Sequence, residues 1–291
     1  PAVPTSLLCS LAARHVKVAL SGDGGDDCPA SYETYVADRF QQLYRRLPGW
    51  LHRGLLLPLA NHLPATHRKV SWDYKIKQFV REARAAPEVA HYRWRQVFAE
   101  EEKAELWGDA APAGLDGHTP EGAFLHHYDE IPDASFLQRS QYVDIKTWLA
   151  DAMLVKVDRA SMANGLEVRV PLLDRRLVVW ALALPDNLRL RGRRTKYILK
   201  HAMAGRLPPG IAWRAKRGFN APAAHWVKTW ADALRGHACD ILPGFGRVAE
   251  RLLAEHAAHR ADHGFRLWVM LNWVLWKQQV WDQVHAEPGE R

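Results

Sequence analysis

The sequence predicts an α/β fold that is predominantly α-helical and holds few strands. Three observations carry this. A short β-rich run, His15-Val-Lys-Val-Ala-Leu20, leads directly into a glycine-rich turn and then into a helical pattern. Most of the remaining chain repeats apolar residues every three or four positions, the helical period. No second run of comparable β character follows. A buried parallel strand needs neighbours for its backbone groups, so its partners are expected to be weakly signalled here or encoded upstream.

In chain order, Leu7, Leu8, Leu11 and Ala12 share one face of a short helix before His15. Val16, Val18 and Leu20 read as a buried strand. In Ser21-Gly22-Asp23-Gly24-Gly25-Asp26-Asp27, three glycines in four positions allow a sharp turn and bring backbone N–H groups close to an anion. Tyr32, Tyr35, Val36, Phe40, Leu43 and Leu47 then recur at helical spacing until Pro48-Gly49. Strand, glycine turn and helix place an anion at a helix N-terminus. The turn's three carboxylates would repel bare phosphate and suit it only with Mg²⁺ between them. An acidic surface turn is the other reading, and the spacing does not separate the two.

Trp72, Ile76, Phe79 and Val80 form one helical stripe, and Val89, Trp94, Val97 and Phe98 suggest another. The Gly/Ala/Pro-rich stretch 110–119 is a loop. His126-His127 with Asp129 only superficially resembles a metal set, because adjacent residues diverge on a helix. Leu149, Met153, Val157 and Ala160 line a helix expected to begin near Asp151 and to stop at Asn164-Gly165. Glu167-Val-Arg-Val170 alternates, with Glu167 and Arg169 on one face. Asp174 is placed to cap a helix running to Leu184, and Thr195 to cap one carrying Lys196 at its first position. Phe265 to Trp281 is apolar on nearly all sides and reads as a buried core helix.

Composition is that of an ordinary soluble globular chain: 48% hydrophobic and 25% charged over 291 residues, enough for a sizeable core. Forty basic against 32 acidic residues give +8, which favours anionic ligands without naming one. The densest basic cluster is Arg189, Arg191, Arg193, Arg194 and Lys196. Cys9, Cys28 and Cys239 make no metal-spaced pair and no disulfide framework, which predicts a reducing, cytoplasmic setting. No signal peptide is read at the N-terminus, and Phe265 to Trp276 is too short to span a bilayer, which takes about 20 residues.

The glycine turn after an apolar strand resembles the second nucleotide motif of the asparagine synthase family, which reads Ser-Gly-Asp/Glu-Gly-Gly/Ser-Asp-Glu-Leu-Phe-Gly-Gly-Tyr. Three further blocks follow in family order: Asp158-Arg-Ala-Ser-Met-Ala-Asn-Gly-Leu-Glu-Val-Arg-Val-Pro-Leu-Leu-Asp174, Thr195-Lys-Tyr-Ile-Leu-Lys200 and Arg214-Ala-Lys-Arg-Gly-Phe-Asn-Ala-Pro222. Four motifs in order are specific where no single one would be. The resemblance implies an ATP-pyrophosphatase core (adenine nucleotide alpha-hydrolase-like) and an ATP-dependent amide-forming ligase. Such an enzyme adenylates a carboxylate, aspartate by default, and ammonia from glutamine then displaces AMP. It implies nucleotide contacts at Ser21, Gly22, Gly24 and Gly25, Mg²⁺ on Asp26, and a role for Asp23 in forming the intermediate and handling the amine. Lys196 matches the lysine that stabilises the developing charge. Asp158, Arg159, Glu167 and Arg169 would lie near the acceptor carboxylate; the plainer reading of these four is a buried ion-pair network. Lys216 and Arg217 read equally as phosphate contacts or as a solvated basic turn.

The family's first nucleotide motif, Ser-Gly-Gly-x-Asp-Ser, and its N-terminal glutaminase cysteine have no counterpart here. The expectation is therefore one partial synthetase domain over residues 1–291: a nucleotide-loop segment 1–47, a variable helical region 48–133 and a helical substrate and ATP region 134–291. Asp27 and Cys28-Pro29-Ala30-Ser31 depart from the family's Glu-Leu-Phe-Gly-Gly, which puts activity in question more than fold. The rivals are a degenerate, non-catalytic copy serving as a structural or partner-binding body, and a PP-loop enzyme acting on tRNA. The +8 charge suggests the latter, but recognisable cysteine or RNA-binding features are missing, so no nucleic-acid partner is expected. No membrane partner is expected either, and a homodimer is left open.

Overall fold

The computed structural model describes residues 2–63, 72–110, 119–214, 221–236 and 241–285. Helix α1 (Ala2–Ala13) leads into strand β1 (Val18–Leu20), which pairs in parallel with β2 (Glu167–Arg169). Val18 lies opposite Glu167, Ala19 opposite Val168 and Leu20 opposite Arg169. Among the described residues these two strands form the one sheet, and the other named elements are helical. The predicted α/β class with few strands holds at that level. The second strand sits where the sequence showed only a brief alternation, and Glu167 and Arg169 share its exposed face.

One expectation about burial is corrected. β1 is not buried on both faces: Val18 is exposed and Leu20 is 74% exposed. The Val155–Met162 helix packs against β2 and against α1. In α1, Cys9 is turned inward, and Leu7, Leu8 and Leu11 of the stripe read from the sequence are exposed.

The chain divides into two compact units. The first comprises residues 1–47, 82–94 and 118–221. It contains α2 (Glu33–Tyr44), α3 (Pro87–Arg93), α4 (Pro120–Asp129) and a long helical run, α5. That run proceeds through Phe136–Asp144, a π-helical stretch Ile145–Leu154 and Val155–Met162. It therefore starts well before Asp151. Ser135 sets the start through a capping box: its hydroxyl accepts from the Gln138 N–H, and the Gln138 side chain accepts from the Ser135 N–H. The stop falls where the sequence placed it. Gly165 has φ +63°, its N–H donates to the Met162 carbonyl, and the Leu166 N–H donates to the Ser161 carbonyl, which is the Schellman closure.

Beyond β2, Asp174 caps α6 (Arg175–Ala183) by accepting from the Arg176 N–H at 2.9 Å, as expected. A short α7 (Asp186–Arg189) and α8 (Tyr197–Met203) complete the unit. Thr195 does not cap α8. Lys196 occupies that position in the left-handed conformation, φ +53°, with no side-chain cap.

A buried polar cluster joins α2, α3 and α5. His91 bridges Asp38 (Nδ1, 2.6 Å) and Asp144 (Nε2, 3.2 Å). The Tyr35 hydroxyl donates to Asp144, and the Trp94 indole to Asp38 at 2.6 Å. Burial alone would push the imidazole down, but the carboxylates of Asp38 and Asp144 outweigh it and raise His91 to about 9.

The second unit comprises residues 48–81, 95–117 and 222–291. Its core is built by the helices Glu100–Trp107, Ala223–Thr229, Phe245–Ala257 and Gly264–Trp276. In the last of these Leu267, Met270, Leu271 and Val274 are buried at helical spacing, while Phe265 and Trp276 are exposed. The segment expected to be buried all round thus packs on one face, and a π-helical turn, Lys277–Trp281, follows it. The Val89–Phe98 stripe is also broken, because α3 ends at Arg93 and Val97 and Phe98 fall beyond it. Most of the predicted loop 110–119, together with Lys216 and Arg217, lies outside the described residues.

Candidate active site

The glycine turn grows out of the strand pair. The Ser21 N–H donates to the Arg169 carbonyl at 2.8 Å, so β2 holds the turn's first residue. The Ser21 hydroxyl donates to the Asp23 carboxylate and accepts from the Asp23 N–H at 3.3 Å, folding the chain back on itself. Gly22 is exposed, with open space where a Cβ would be. Gly24 and Gly25 are buried, and their lack of a side chain has a packing cause. A Cβ on Gly24, at φ +82°, would stand 2.2 Å from Leu173 Cδ2, and one on Gly25 would stand 2.8 Å from Leu172 Cδ1. The close approach read from the sequence is therefore made, at these two positions, to the Pro171–Leu173 turn.

The loop's three carboxylates do not act alike. Asp27 is 1% exposed and accepts from the Tyr32 hydroxyl at 3.0 Å, so it braces the loop from within. Asp23 and Asp26 remain half-buried. Asp26 Oδ1 lies 2.5 Å from Lys196 Nζ, which joins the first and third motifs of the sequence. Burial, and next the charge of Lys196, lower the neighbouring Lys200 ammonium below its ordinary range. The turn continues through Pro29 and Ala30, the latter at φ +52°, and α2 begins only at Glu33. The immediate helix start expected from the sequence is thus displaced, because a residue without an N–H and a left-handed residue stand in between.

Asp158 and Arg159 are exposed on the last turns of α5, and neither forms an ion pair among the described residues. Glu167 and Arg169 pair with each other at 2.7 Å on the exposed face of β2. This exposure rules out the plainer reading of a buried network of these four. It leaves them as solvent-accessible polar groups around the strand pair that anchors Ser21.

Beneath Gly24 and Gly25 lies a cavity of about 120 Å³, walled by Cys28, Leu172, Leu177, Trp180, Leu184 and Ile198 among others. Its walls are too apolar for a triphosphate. Burial, and secondarily the Asp27 charge, push the Cys28 thiol up to about 11, so it stays protonated and is no nucleophile. Among the described residues no group of three His, Cys, Asp or Glu side chains is placed to hold a metal ion. Mg²⁺ commonly takes only one or two carboxylates and completes its shell with phosphate and water. Asp26, with Asp23 three positions before it in the same turn, fits that minimal donor set.

Two residues of the loop's support escaped the sequence reading. Gln141 sits fully buried on α5, and Arg189, read there only as part of the densest basic cluster, is 0% exposed. The one available signal was a polar residue at a core-facing position of a helix beside Val143.

The asparagine synthase family model matches residues 1–282, and the chain belongs to that family. It is similar to glutamine-hydrolyzing asparagine synthetase 1 of Bacillus subtilis (strain 168), 30% identical over 305 residues, covering 99% of this chain and 45% of that protein. A putative glutamine-hydrolyzing asparagine synthetase of Mycobacterium bovis is 30% identical over 284 residues, covering 94% and 41% respectively. Glutamine-hydrolyzing asparagine synthetase of Gallus gallus is 33% identical over 110 residues, 37% of this chain and 18% of that protein. The chain therefore spans less than half the length of these relatives. No solved structure matches it.

Proposed function

We propose that this chain is part of an ATP-dependent amide-forming ligase of the asparagine synthetase type, contributing one wall of an ATP-pyrophosphatase-type site. The observation that carries the reading is the 2.5 Å contact between Asp26 and Lys196. A glycine-turn carboxylate and a lysine from a remote helix start meet at one point, beside the residues that would approach a nucleotide. Folding stability alone gives little reason for a partly exposed pair, which is commonly worth under about 1 kcal/mol.

In this reading Ser21 and Gly22 approach the phosphates of ATP, with Gly24 and Gly25 shaping the turn from below. A carboxylate oxygen of the acceptor, aspartate by default, attacks the α-phosphorus, and pyrophosphate leaves. Lys196 stabilises the charge that develops as the bond to pyrophosphate breaks, an electrostatic task suited to a compact ammonium. Mg²⁺, held through Asp26 and phosphate oxygens, would neutralise the triphosphate and assist that departure. Ammonia derived from glutamine then attacks the acyl carbon and AMP is released, with Asp23 orienting the amine. Asp158, Arg159, Glu167 and Arg169 offer charged groups for the acceptor acid. A cytoplasmic setting accords with the use of ATP; among the described residues no helix is long and apolar enough to cross a membrane.

A non-catalytic copy is the second reading, favoured by one observation. The segment that departs from the family pattern is under local tension: Ala30 is left-handed, and the buried Ser31 Oγ has no hydrogen-bond partner among the described residues. The test is pyrophosphate release from Mg-ATP by the complete gene product, screened against carboxylic acids with ammonia or glutamine. Acid-dependent release with AMP formation supports the ligase. Tight folding without nucleotide turnover on any acid would favour the non-catalytic copy.

A further inference from the structure

We propose that Gln141, held by the buried guanidinium of Arg189, is the positioning residue that sets the glycine loop and Lys196 for reaction. The proposal rests on the ligase reading above and deepens it. Gln141 Nε2 donates to two successive carbonyls of the loop, those of Asp27 and Cys28, each at 2.7 Å. Its Oε1 accepts from Arg189, whose other terminal nitrogen donates to Asp186 at 2.6 Å. The Ser135 hydroxyl donates to that same Asp186 oxygen at 2.8 Å. The amide orientation is fixed by chemistry, since a guanidinium can only donate and a carbonyl can only accept.

The next carbonyl along the loop, that of Pro29, accepts from the Lys196 N–H at 3.2 Å. Three consecutive loop carbonyls are therefore held, two from α5 and one from the start of α8. The strip they form lies directly after Asp26, and Asp26 pairs with the Lys196 side chain. Gln141 thus fixes the backbone to which both members of that pair are tied, yet it lies fully buried itself. It acts on the reaction through Lys196 and Asp26. The strip needs outside support, because Pro29 supplies no N–H and Ala30 sits in a left-handed conformation that L-residues disfavour. An apolar side chain at 141 would fill the same volume but withdraw the side-chain donor from both carbonyls, leaving that of Asp27 only the Ala30 N–H at 3.4 Å, and would take from Arg189 one of its two acceptors.

The test uses the complete gene product with Gln141→Glu, which keeps the side-chain length and the acceptor toward Arg189 but removes the donors. Arg189→Lys is the second variant; it keeps the charge opposite Asp186 and withdraws the contact to Gln141. Hydrogen exchange is read on the loop peptide 21–32. Loss of one net hydrogen bond should speed it about tenfold, while peptides of α2 and of the second unit stay within about twofold. In pyrophosphate release, Gln141→Glu should lower kcat about tenfold, yet less than about twofold when Lys196→Ala is already present. Unchanged loop exchange in both variants, or equal kinetic losses in the two backgrounds, would overturn the proposal. So would global unfolding of both variants, which would make Gln141 a general core residue. Faster loop exchange with no ATP turnover by the wild type would support the clamp and sink the ligase reading instead.

Discussion

Raising the pH should weaken the first unit through His91. The imidazole is buried between Asp38 and Asp144, and its value rises from 6.5 to about 9. A group whose folded value is raised contributes stability that is complete below its unfolded value and is lost as pH climbs through the folded one. The window here runs from 6.5 to about 9. At roughly 1.4 kcal/mol per pH unit, the full loss is about 3 kcal/mol. That is a large share of the 5–15 kcal/mol typical of a domain, taken as an order of magnitude.

Equilibrium denaturation at several pH values from 6 to 10 measures it, with His91→Gln as the comparison. The wild type should lose stability steeply across the window, and the variant should start weaker and follow a flatter profile. Asp38 and Asp144 hold the two ring nitrogens, and the rings of Tyr35 and Phe124 stack against the imidazole. If the variant proves too unstable to denature reversibly, an NMR titration of the His91 ring in the wild type reads the same quantity. A ring that titrates near 6.5, or wild-type and variant profiles that run parallel, would refute the reasoning.

Lys196→Ala should lower kcat for pyrophosphate release by about 100-fold while changing the KM for ATP little, because the charge acts mainly in the transition state; a loss confined to KM would make Lys196 a ground-state contact. Asp23→Asn should abolish amide formation and shift unfolding by less than about 0.5 kcal/mol, since the side chain's one described partner is the neighbouring Ser21; wild-type turnover would remove Asp23 from the mechanism. Gly24→Ala should destabilise the first unit by about 3 kcal/mol, from the left-handed backbone and the Cβ facing Leu173 at 2.2 Å; a neutral effect would mean the Leu172–Leu173 wall gives way freely.

The parts of this fold legible in the sequence are those written in local chemistry. A strand before a glycine turn, a helix stop at Asn164-Gly165 and a cap at Asp174 each depend on a few adjacent residues, and each appears where it was expected. Burial was less legible. The stripes on α1 and on Gly264–Trp276 gave the helical period correctly but did not say which arc faces a neighbour. The alternation at Glu167–Val170 was read, but its pairing was not, because three residues with two charges among them carry little strand signal and pairing with Val18–Leu20 is a long-range event. The start of α5 escaped because its capping box at Ser135 lies ahead of a run whose apolar stripe becomes regular only later.

The same distinction explains what was missed in the site. Ser21, Asp23 and Asp26 stand out because glycines isolate them within one turn. Their support does not: Asp27 turns inward to the Tyr32 hydroxyl, and Gln141 and Arg189 are buried polar groups whose partners lie more than a hundred residues away or on another helix. Such residues look like surface polarity until the chain is folded. A loop rich in glycine has little rigidity of its own. Whatever precision Asp26 and Lys196 possess is therefore conferred from α5 and α7, through side chains that never meet a substrate. Mutations there would resemble loop mutations in effect while lying in the core, and only a readout resolved to the loop can tell the two apart.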